Sequence, residues 1–241
     1  SYIIVRKDDE LYYTGNASSS EKIFNRLPEY GTDREDREAG YYYDETQESV
    51  ITYTTSNNKI LTLTEDKFNS AILSHVYENG VGTITFAPGL TSISDAFKSR
   101  ALMTSITLPH GIDKIEASAF NGCTRLSSIT LGYRLKEIGD YAFSNCGSLT
   151  DISLPASITS VGNYAFNKCS SLSSMEIPNS VTSIGNYGFA QCSSLSSVSI
   201  PDSVTSIGND AFDGCSSLMG ISLPASITSI GNYTFNSCSS L

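Results

Sequence analysis

The sequence predicts an α/β solenoid, built from 23-residue coils that share a parallel β-sheet face and preceded by a β-rich N-terminal cap. Three columns of residues carry this prediction. Cysteine recurs every 23 residues from Cys123 to Cys238, and phenylalanine keeps the same step from Phe97 to Phe235. Leucine does so from Leu126 to Leu241. Columns that stay in phase over this length indicate stacked units that bury their apolar faces against one another.

The first segment, residues 1–49, lacks the repeat and is acidic and rich in tyrosine. We interpret it as either a small extra domain or a partly ordered arm. The apolar run Tyr2–Val5 predicts a strand. The charged stretch Gly31–Gly40 has glycine at both ends and predicts a loop.

Residues 50–100 are expected to form the N-terminal cap and a first, irregular coil. Val50–Tyr53 and Lys59–Leu63 predict the two strands of a hairpin around a polar turn. Thr83–Phe86 aligns with the strand of the later repeats, and the stretch from there to Phe97 is shorter than its later counterparts. Terminal repeats commonly depart from the consensus in this way.

Residues 101–241 hold about six coils, and each coil begins with a strand. Met175 and Ile177 alternate with Ser174 and Glu176, the period of two that a half-buried strand shows. Pro178 ends this strand because proline has no N–H for the next ladder bond.

The second half of a coil is expected to hold an inward segment, a corner and a short helical turn. Val181 and Ile184 mark the inward segment, which could form a short strand. Gly185-Asn186 predicts the corner, since both residue types accept positive φ and asparagine is also a good helix N-cap. Phe189 and Cys192 lie three residues apart, as on one face of a helical turn.

The repeat can be compared with known families through its motifs A-F-x-x-C, L-x-x-I-x-[LI]-P and V-T-S-I-G. Over roughly 100–241 it resembles the BspA-type leucine-rich repeat, found on surface proteins of anaerobic bacteria and some protozoa. The segment 51–93 is similar to the one that often precedes such arrays. The resemblance implies leucine-rich-repeat coils, an extracellular or cell-surface location and adhesion to host proteins or other cells.

Composition excludes some classes of partner. The chain carries 15 Lys+Arg against 25 Asp+Glu, a formal net charge of -10. This acidity argues against nucleic-acid binding, which usually needs a basic surface. No apolar run approaches the length of about 18 residues that predicts a membrane-spanning helix.

The usual signatures of catalysis and of metal binding are missing from the sequence. Its two histidines, His75 and His110, stand in no motif, and neither G-x-S-x-G nor G-K-[ST] occurs. We therefore predict no catalytic residue, metal site or cofactor. Cysteines in one column should lie about 4.8 Å apart, whereas a disulfide joins Cβ atoms at about 3.8 Å. They are predicted to be reduced and buried.

Two exposed columns are candidate binding surfaces. The outward strand positions would form a flat, hydroxyl-rich face, which could also serve only for solubility: Ser128, Thr130, Asp151, Ser153, Ser174, Glu176, Ser197 and Ser199. An aromatic strip would lie beside the corner, where its rings could equally do no more than cover the solenoid: Tyr141, Tyr164, Tyr187 and Tyr233.

Two functions are consistent with this organisation. The first is a non-enzymatic interaction module of an exported or surface-anchored protein, which binds a host matrix protein, another cell or a glycan. The alternative is a passive spacer that displays other domains. An enzymatic function could only lie in residues 1–49 or in flanking domains. Because Leu241 falls mid-coil, we also expect a longer natural chain, a dimer through the open strand edge, or a frayed last turn.

Overall fold

Backbone hydrogen bonds between successive coils hold the repeat array together in the computed structural model. The structure describes residues 3–7, 10–14, 24–26, 49–63 and 65–241. No α-helix occurs among these residues, which hold only two short 3₁₀ turns, Glu65–Lys67 and Asp95–Phe97. The helical part of the α/β prediction is therefore wrong. The array is a parallel-strand β-solenoid of about six turns of about 23 residues.

The chain divides into two units, Ser1–Asp44 and Glu45–Leu241. The first unit contains a three-stranded antiparallel sheet in the order β1-β2-β3, with β1 at Ile3–Lys7, β2 at Glu10–Thr14 and β3 at Phe24–Arg26. The strand predicted at Tyr2–Val5 overlaps β1. The loop predicted at Gly31–Gly40 lies outside the described residues, and the segment boundaries at 49 and 100 stay a prediction.

The second unit begins with a mixed sheet that includes the first strands of the repeat array. It contains β4 (Ser49–Thr55), β5 (Ile72–Glu78), β6 (Val81–Phe86), β8 (Met103–Thr107) and β10 (Ser128–Thr130), in the order β10-β8-β4-β6-β5. β4 runs antiparallel to both β6 and β8, so it separates the strand at Thr83–Phe86 from the strand of the next coil. β8 and β10 pair in parallel, as the repeat predicts.

The hairpin predicted across residues 50–63 is wrong, because Lys59–Leu63 forms no strand. Side chains of β4 bind this segment instead. Thr55 Oγ1 accepts the Lys59 N–H at 3.0 Å and donates to the Lys59 carbonyl at 2.9 Å. The Tyr53 hydroxyl accepts the Leu61 N–H at 3.0 Å. These bonds take up polar groups that a hairpin would have paired.

The longest sheet forms at the second inward segment of each coil. Its seven parallel strands are β7 (Ser92–Ile93), β9 (Lys114–Ile115), β11 (Glu137–Ile138), β12 (Ser160–Val161), β14 (Ser183–Ile184), β16 (Ser206–Ile207) and β17 (Ser229–Ile230). The first strand position is less continuous. There β13 (Ser174–Glu176) pairs with β15 (Ser197–Ser199), while residues 151–153 form no strand.

The core is a column of parallel phenylalanine rings. Phe97, Phe120, Phe143, Phe166, Phe189 and Phe212 are fully buried. Neighbouring rings lie 5.2–5.7 Å apart at angles of 10° or less. All six cysteines are free thiols, and each donates its S–H to a phenylalanine carbonyl of an adjacent coil, as Cys192 does to Phe166 at 3.1 Å.

The predicted helical turn at Phe189–Cys192 is a β-turn that bonds to the next coil. The Phe189 N–H donates to the Ala211 carbonyl at 2.8 Å, and the Cys192 N–H donates to the Phe189 carbonyl at 3.3 Å. An α-helix needs its N–H groups for carbonyls four residues earlier in the same segment. The N–H groups of Phe189 and Gln191 instead donate to carbonyls of the next coil, so the turn does not continue as a helix.

Candidate binding groove

A groove with a volume of about 470 Å³ runs along the corner of the solenoid. It crosses five coils and collects two columns of side chains, one tyrosine-rich and one asparagine-rich. Its lining residues are Asp140, Tyr141, Asn163, Tyr164, Asn186, Tyr187, Asn209, Asp210, Asn232 and Tyr233. The structure therefore brings together all four tyrosines of the predicted aromatic strip.

The asparagine column holds the floor of the groove in register. Asn186 Oδ1 accepts the backbone N–H of Asn209 at 2.8 Å, and Asn209 Oδ1 accepts that of Asn232 at 2.7 Å. Asp140 begins the ladder by accepting the N–H of Asn163 at 2.7 Å. The prediction that asparagine caps a helix here is wrong, because the side chain binds the next coil. The repetition of asparagine at this step is the sequence signal for such a ladder.

The corner glycines are needed for close packing rather than for positive φ. A Cβ on Gly208 would lie 2.6 Å from the backbone nitrogen of Asn186 in the preceding coil. Neither Gly185 nor Asn186 has a positive φ, so the predicted conformation of the corner is wrong. The left-handed residue is the next one, Tyr187, with φ of 55°.

The tyrosine rings stack face to face in their first three coils. Tyr141 and Tyr164 have ring centroids 4.6 Å apart, and Tyr164 and Tyr187 have theirs 4.5 Å apart. Their planes differ by 6° and 7°. Tyr164, the middle ring, is therefore covered on both faces and leaves its edge and hydroxyl for contact, whereas Tyr141 and Tyr187 are each covered by a tyrosine on one face.

Tyrosine is energetically unfavourable at this position of the turn. All four groove tyrosines have φ between 55° and 59°, a region that costs an L-residue about 1–2 kcal/mol and that Asn, Asp and Gly occupy more readily. Ser118 and Asp210 make the same turn in other coils, with φ of 61° and 52°. The turn itself thus does not require an aromatic side chain.

Asp210 interrupts the tyrosine stack. It occupies the tyrosine position of its coil, between the coils of Tyr187 and Tyr233. Tyr187 therefore has one ring face without an aromatic neighbour, and Tyr233 is 73% exposed. A hydrogen bond from the Tyr187 hydroxyl to the Asp210 carboxylate is the main cause that raises the pKa of Tyr187, and the Asp210 charge adds to it.

The second candidate surface is exposed but featureless. All eight predicted positions on the strand face are exposed, from Ser128 to Ser199. Only Asp151 and Glu176 among them carry charge, and Asp151 lies in the stretch without a strand. The face offers few anchors of the Tyr, Trp or Arg kind, and its role in binding stays a prediction.

The histidines and the buried cysteines lie outside the groove and are surrounded by other residues of the fold. His75 Nε2 hydrogen-bonds the Tyr53 hydroxyl at 2.7 Å, and burial lowers its pKa. The His110 ring lies 4.7 Å from that of Tyr133, and burial lowers its pKa too. Burial raises the pKa of Cys123 and Cys215 to about 12, which makes these thiols poor nucleophiles at neutral pH.

The described residues offer neither a metal site nor a membrane-spanning helix. No group of three or more His, Cys, Asp or Glu side chains in that part of the chain is placed to hold a metal ion. Nor does any described helix have the length and apolar character to cross a membrane.

Comparison with known proteins identifies the family of the repeat. The model of the BspA type leucine rich repeat region matches residues 47–173, 91–218 and 162–241, with six copies. The structure of a leucine rich repeat protein from T. pallidum is similar, with 34% identity and a TM-score of 0.62, over 64% of this chain and 72% of that one. No curated protein matches.

Two further solved structures are similar at lower identity. A leucine rich cell surface protein from Faecalibacterium prausnitzii has 29% identity and a TM-score of 0.59, over 77% of this chain and 54% of that one. A leucine-rich repeat protein from Bacteroides ovatus has 28% identity and a TM-score of 0.54, over 68% of this chain and 47% of that one. The matches thus span only about half the length of these two proteins.

Proposed function

The chain belongs to the BspA-type leucine-rich repeat family, and from this premise we propose that it is a non-enzymatic interaction module of an exported or surface-anchored protein. Its proposed partner is a protein on a host cell or a neighbouring cell, and its proposed binding surface is the groove at the corner. The description of the Faecalibacterium prausnitzii relative as a cell surface protein supports this location.

The tyrosine column is the observation that carries the proposal. Four tyrosines stand at a turn position that disfavours them, and the turn forms without them at Ser118 and Asp210. Exposed aromatic side chains in a row are enriched at protein interfaces, where a large rigid ring contributes contact area at low entropic cost. A role outside the fold accounts for a residue that the fold itself does not favour.

A protein partner fits this groove better than a glycan does. Sugar rings commonly bind by lying on an exposed aromatic face, but the stacking of Tyr141, Tyr164 and Tyr187 at 4.5–4.6 Å covers four of their six faces. What the groove presents is a row of ring edges, hydroxyls and amides. Such a surface suits the mixed polar and apolar contacts of a polypeptide.

A binding experiment with two matched variants tests the proposal. A quadruple tyrosine variant combines Tyr141→Asn, Tyr164→Asn, Tyr187→Asn and Tyr233→Asn. A strand-face control combines Ser128→Asn, Ser174→Asn and Ser197→Asn on exposed positions. The full chain, immobilised, is exposed to a panel of purified matrix proteins, glycans and intact cells.

We expect saturable binding of at least one protein, which the quadruple tyrosine variant loses and the strand-face control keeps. Three results would overturn the proposal: no saturable binding anywhere, binding to glycans alone, or loss confined to the strand-face control.

A passive spacer is the second candidate, favoured by the small side chains of the strand face and by the similarity of coils from 147 to 241. A spacer should tolerate the quadruple tyrosine variant. It should lose cell adhesion when one 23-residue coil is deleted in register, because only its length matters.

A further inference from the structure

The tyrosine stack lacks one ring in the coil of Asp210, and we call the space between Tyr187 and Tyr233 the slot. Coils of a solenoid repeat at the strand spacing of about 4.8 Å, so Tyr187 and Tyr233, two coils apart, are separated by about 9–10 Å. A planar group midway would lie about 4.7 Å from each ring. That distance matches the 4.5–4.6 Å at which the stacked tyrosines already sit.

The slot is negatively charged. Asp210 belongs to the coil between the two tyrosines, its carboxylate accepts from the Tyr187 hydroxyl, and the residues that line the groove include no lysine or arginine. Lys168 is the only cationic residue from 141 to 241, and it does not line the groove. The same stretch carries five acidic residues: Asp151, Glu176, Asp202, Asp210 and Asp213.

We propose that the slot between Tyr187 and Tyr233 binds the guanidinium group of an arginine side chain on a protein partner. The guanidinium is planar and stacks on aromatic faces, and its N–H groups pair with a carboxylate. The slot offers two tyrosine faces and the carboxylate of Asp210. A lysine ammonium is not planar and would leave the width of the slot unfilled. A neutral ring would leave the carboxylate without a counter-charge.

This inference rests on the proposed function, since it names the chemistry by which the groove recognises a protein. It adds a reason for the aspartate: Asp210 and the missing ring together form the site, whereas the uninterrupted stack from Tyr141 to Tyr187 supplies flanking contacts.

The test is an NMR titration of the full chain with ¹³C-labelled tyrosine rings. The probe is the peptide Gly-Ser-Arg-Ser-Gly, and its matched controls replace arginine by lysine or by citrulline, which is planar but uncharged. We expect the arginine peptide to shift the ring signals of Tyr187 and Tyr233. It should bind about tenfold more tightly than the citrulline peptide.

Three variants separate the contribution of the slot's shape to peptide binding from the contribution of its charge. Asp210→Tyr fills the slot with the residue that other coils carry at this position, and it should abolish binding of the arginine peptide. Asp210→Asn keeps the slot open without its charge and should weaken binding to the level of the citrulline peptide. Asp202→Asn, at an exposed carboxylate outside the groove, should bind as the unaltered chain does.

Equal affinity for the arginine and citrulline peptides, or unchanged binding by Asp210→Tyr, would overturn the inference. The melting temperature of each variant shows that it is folded. If the chain binds a protein of the panel through its tyrosines but fails to bind the arginine peptide, the slot is wrong and the interaction module stands. If both experiments fail, the proposed function fails with it.

Discussion

The phenylalanine and tyrosine columns of the array share one 23-residue step but have opposite surroundings. Phe189 is fully buried between two parallel rings 5.3 and 5.5 Å away. Tyr187, two residues earlier, stacks on one ring at 4.5 Å in a left-handed conformation that disfavours it. Repetition alone therefore does not separate a structural column from a functional one. Burial and conformational cost do, and they assign the phenylalanines to the fold and the tyrosines to the surface.

The first prediction uses alkaline pH to weaken the inner column alone. Burial raises the pKa of the five fully buried thiols, so they stay neutral in the folded state. Unfolded thiols ionise near pH 8.5, and the stability that the raised pKa supplies is lost as pH rises above that value. Between pH 7.5 and 9.5 the free energy of unfolding should fall by about 1.4 kcal/mol for each buried thiol.

Urea unfolding in the presence of a reductant measures this loss. Tyrosines ionise near pH 10, so their column contributes little in this range. Cys192→Ala should give a shallower dependence on pH, because it removes one titrating group. A free energy that stays constant from pH 7.5 to 9.5 would show that the thiols are not buried as described.

The second prediction compares the columns by truncation. Phe189→Ala leaves a cavity between two buried rings and should lower the free energy of unfolding by about 3–5 kcal/mol. Tyr187→Ala removes a partly exposed ring and should cost much less. Urea unfolding of both variants measures the difference, and equal losses would mean that the inward face is misassigned.

The third prediction concerns the distance between coils at the corner. Gly208→Ala places a Cβ 2.6 Å from a neighbouring backbone nitrogen, so the coils must separate at a cost of about 1–3 kcal/mol. Gly220→Ala is the matched control, since its Cβ would meet nothing within 4 Å. The melting temperature of Gly208→Ala should be well below that of Gly220→Ala. Equal melting temperatures would contradict the close stacking of coils at the groove floor.

The fourth and smallest prediction removes one step of the asparagine ladder. Asn186→Ala deletes the acceptor for the Asn209 N–H and should cost about 0.5–1.5 kcal/mol. Asn179 is exposed, and its position is alanine in other coils. Asn179→Ala should therefore leave the free energy of unfolding nearly unchanged. A similar loss in both variants would show that the asparagine ladder does not stabilise the fold.

Periodicity predicted the columns but not their local conformation. The strand period, the buried phenylalanines and thiols and the tyrosine strip follow from positions that recur every 23 residues. A three-residue spacing such as Phe189 to Cys192 fits a helical turn as well as a β-turn. The choice depends on where the N–H groups find acceptors, which lie in the next coil. Such partners cannot be identified from one coil's sequence.

Strand pairing between distant parts of the chain also could not be predicted from the sequence. β4 lies between β6 and β8, and no local pattern in residues 49–55 indicates that placement. Asp210 was visible in the sequence as an interruption of the tyrosine column. The role proposed for it depends on the 4.5 Å stacking of the neighbouring rings, which the sequence does not give.

The free energy of unfolding of the quadruple tyrosine variant tests most directly whether this column serves a partner rather than the fold. Asparagine accepts the left-handed turn more readily than tyrosine does, and this gain should offset much of the lost ring stacking. We predict a loss of less than half that measured for Phe189→Ala, together with loss of partner binding. A loss equal to or greater than that of Phe189→Ala would contradict the assignment and make the tyrosines a second structural column.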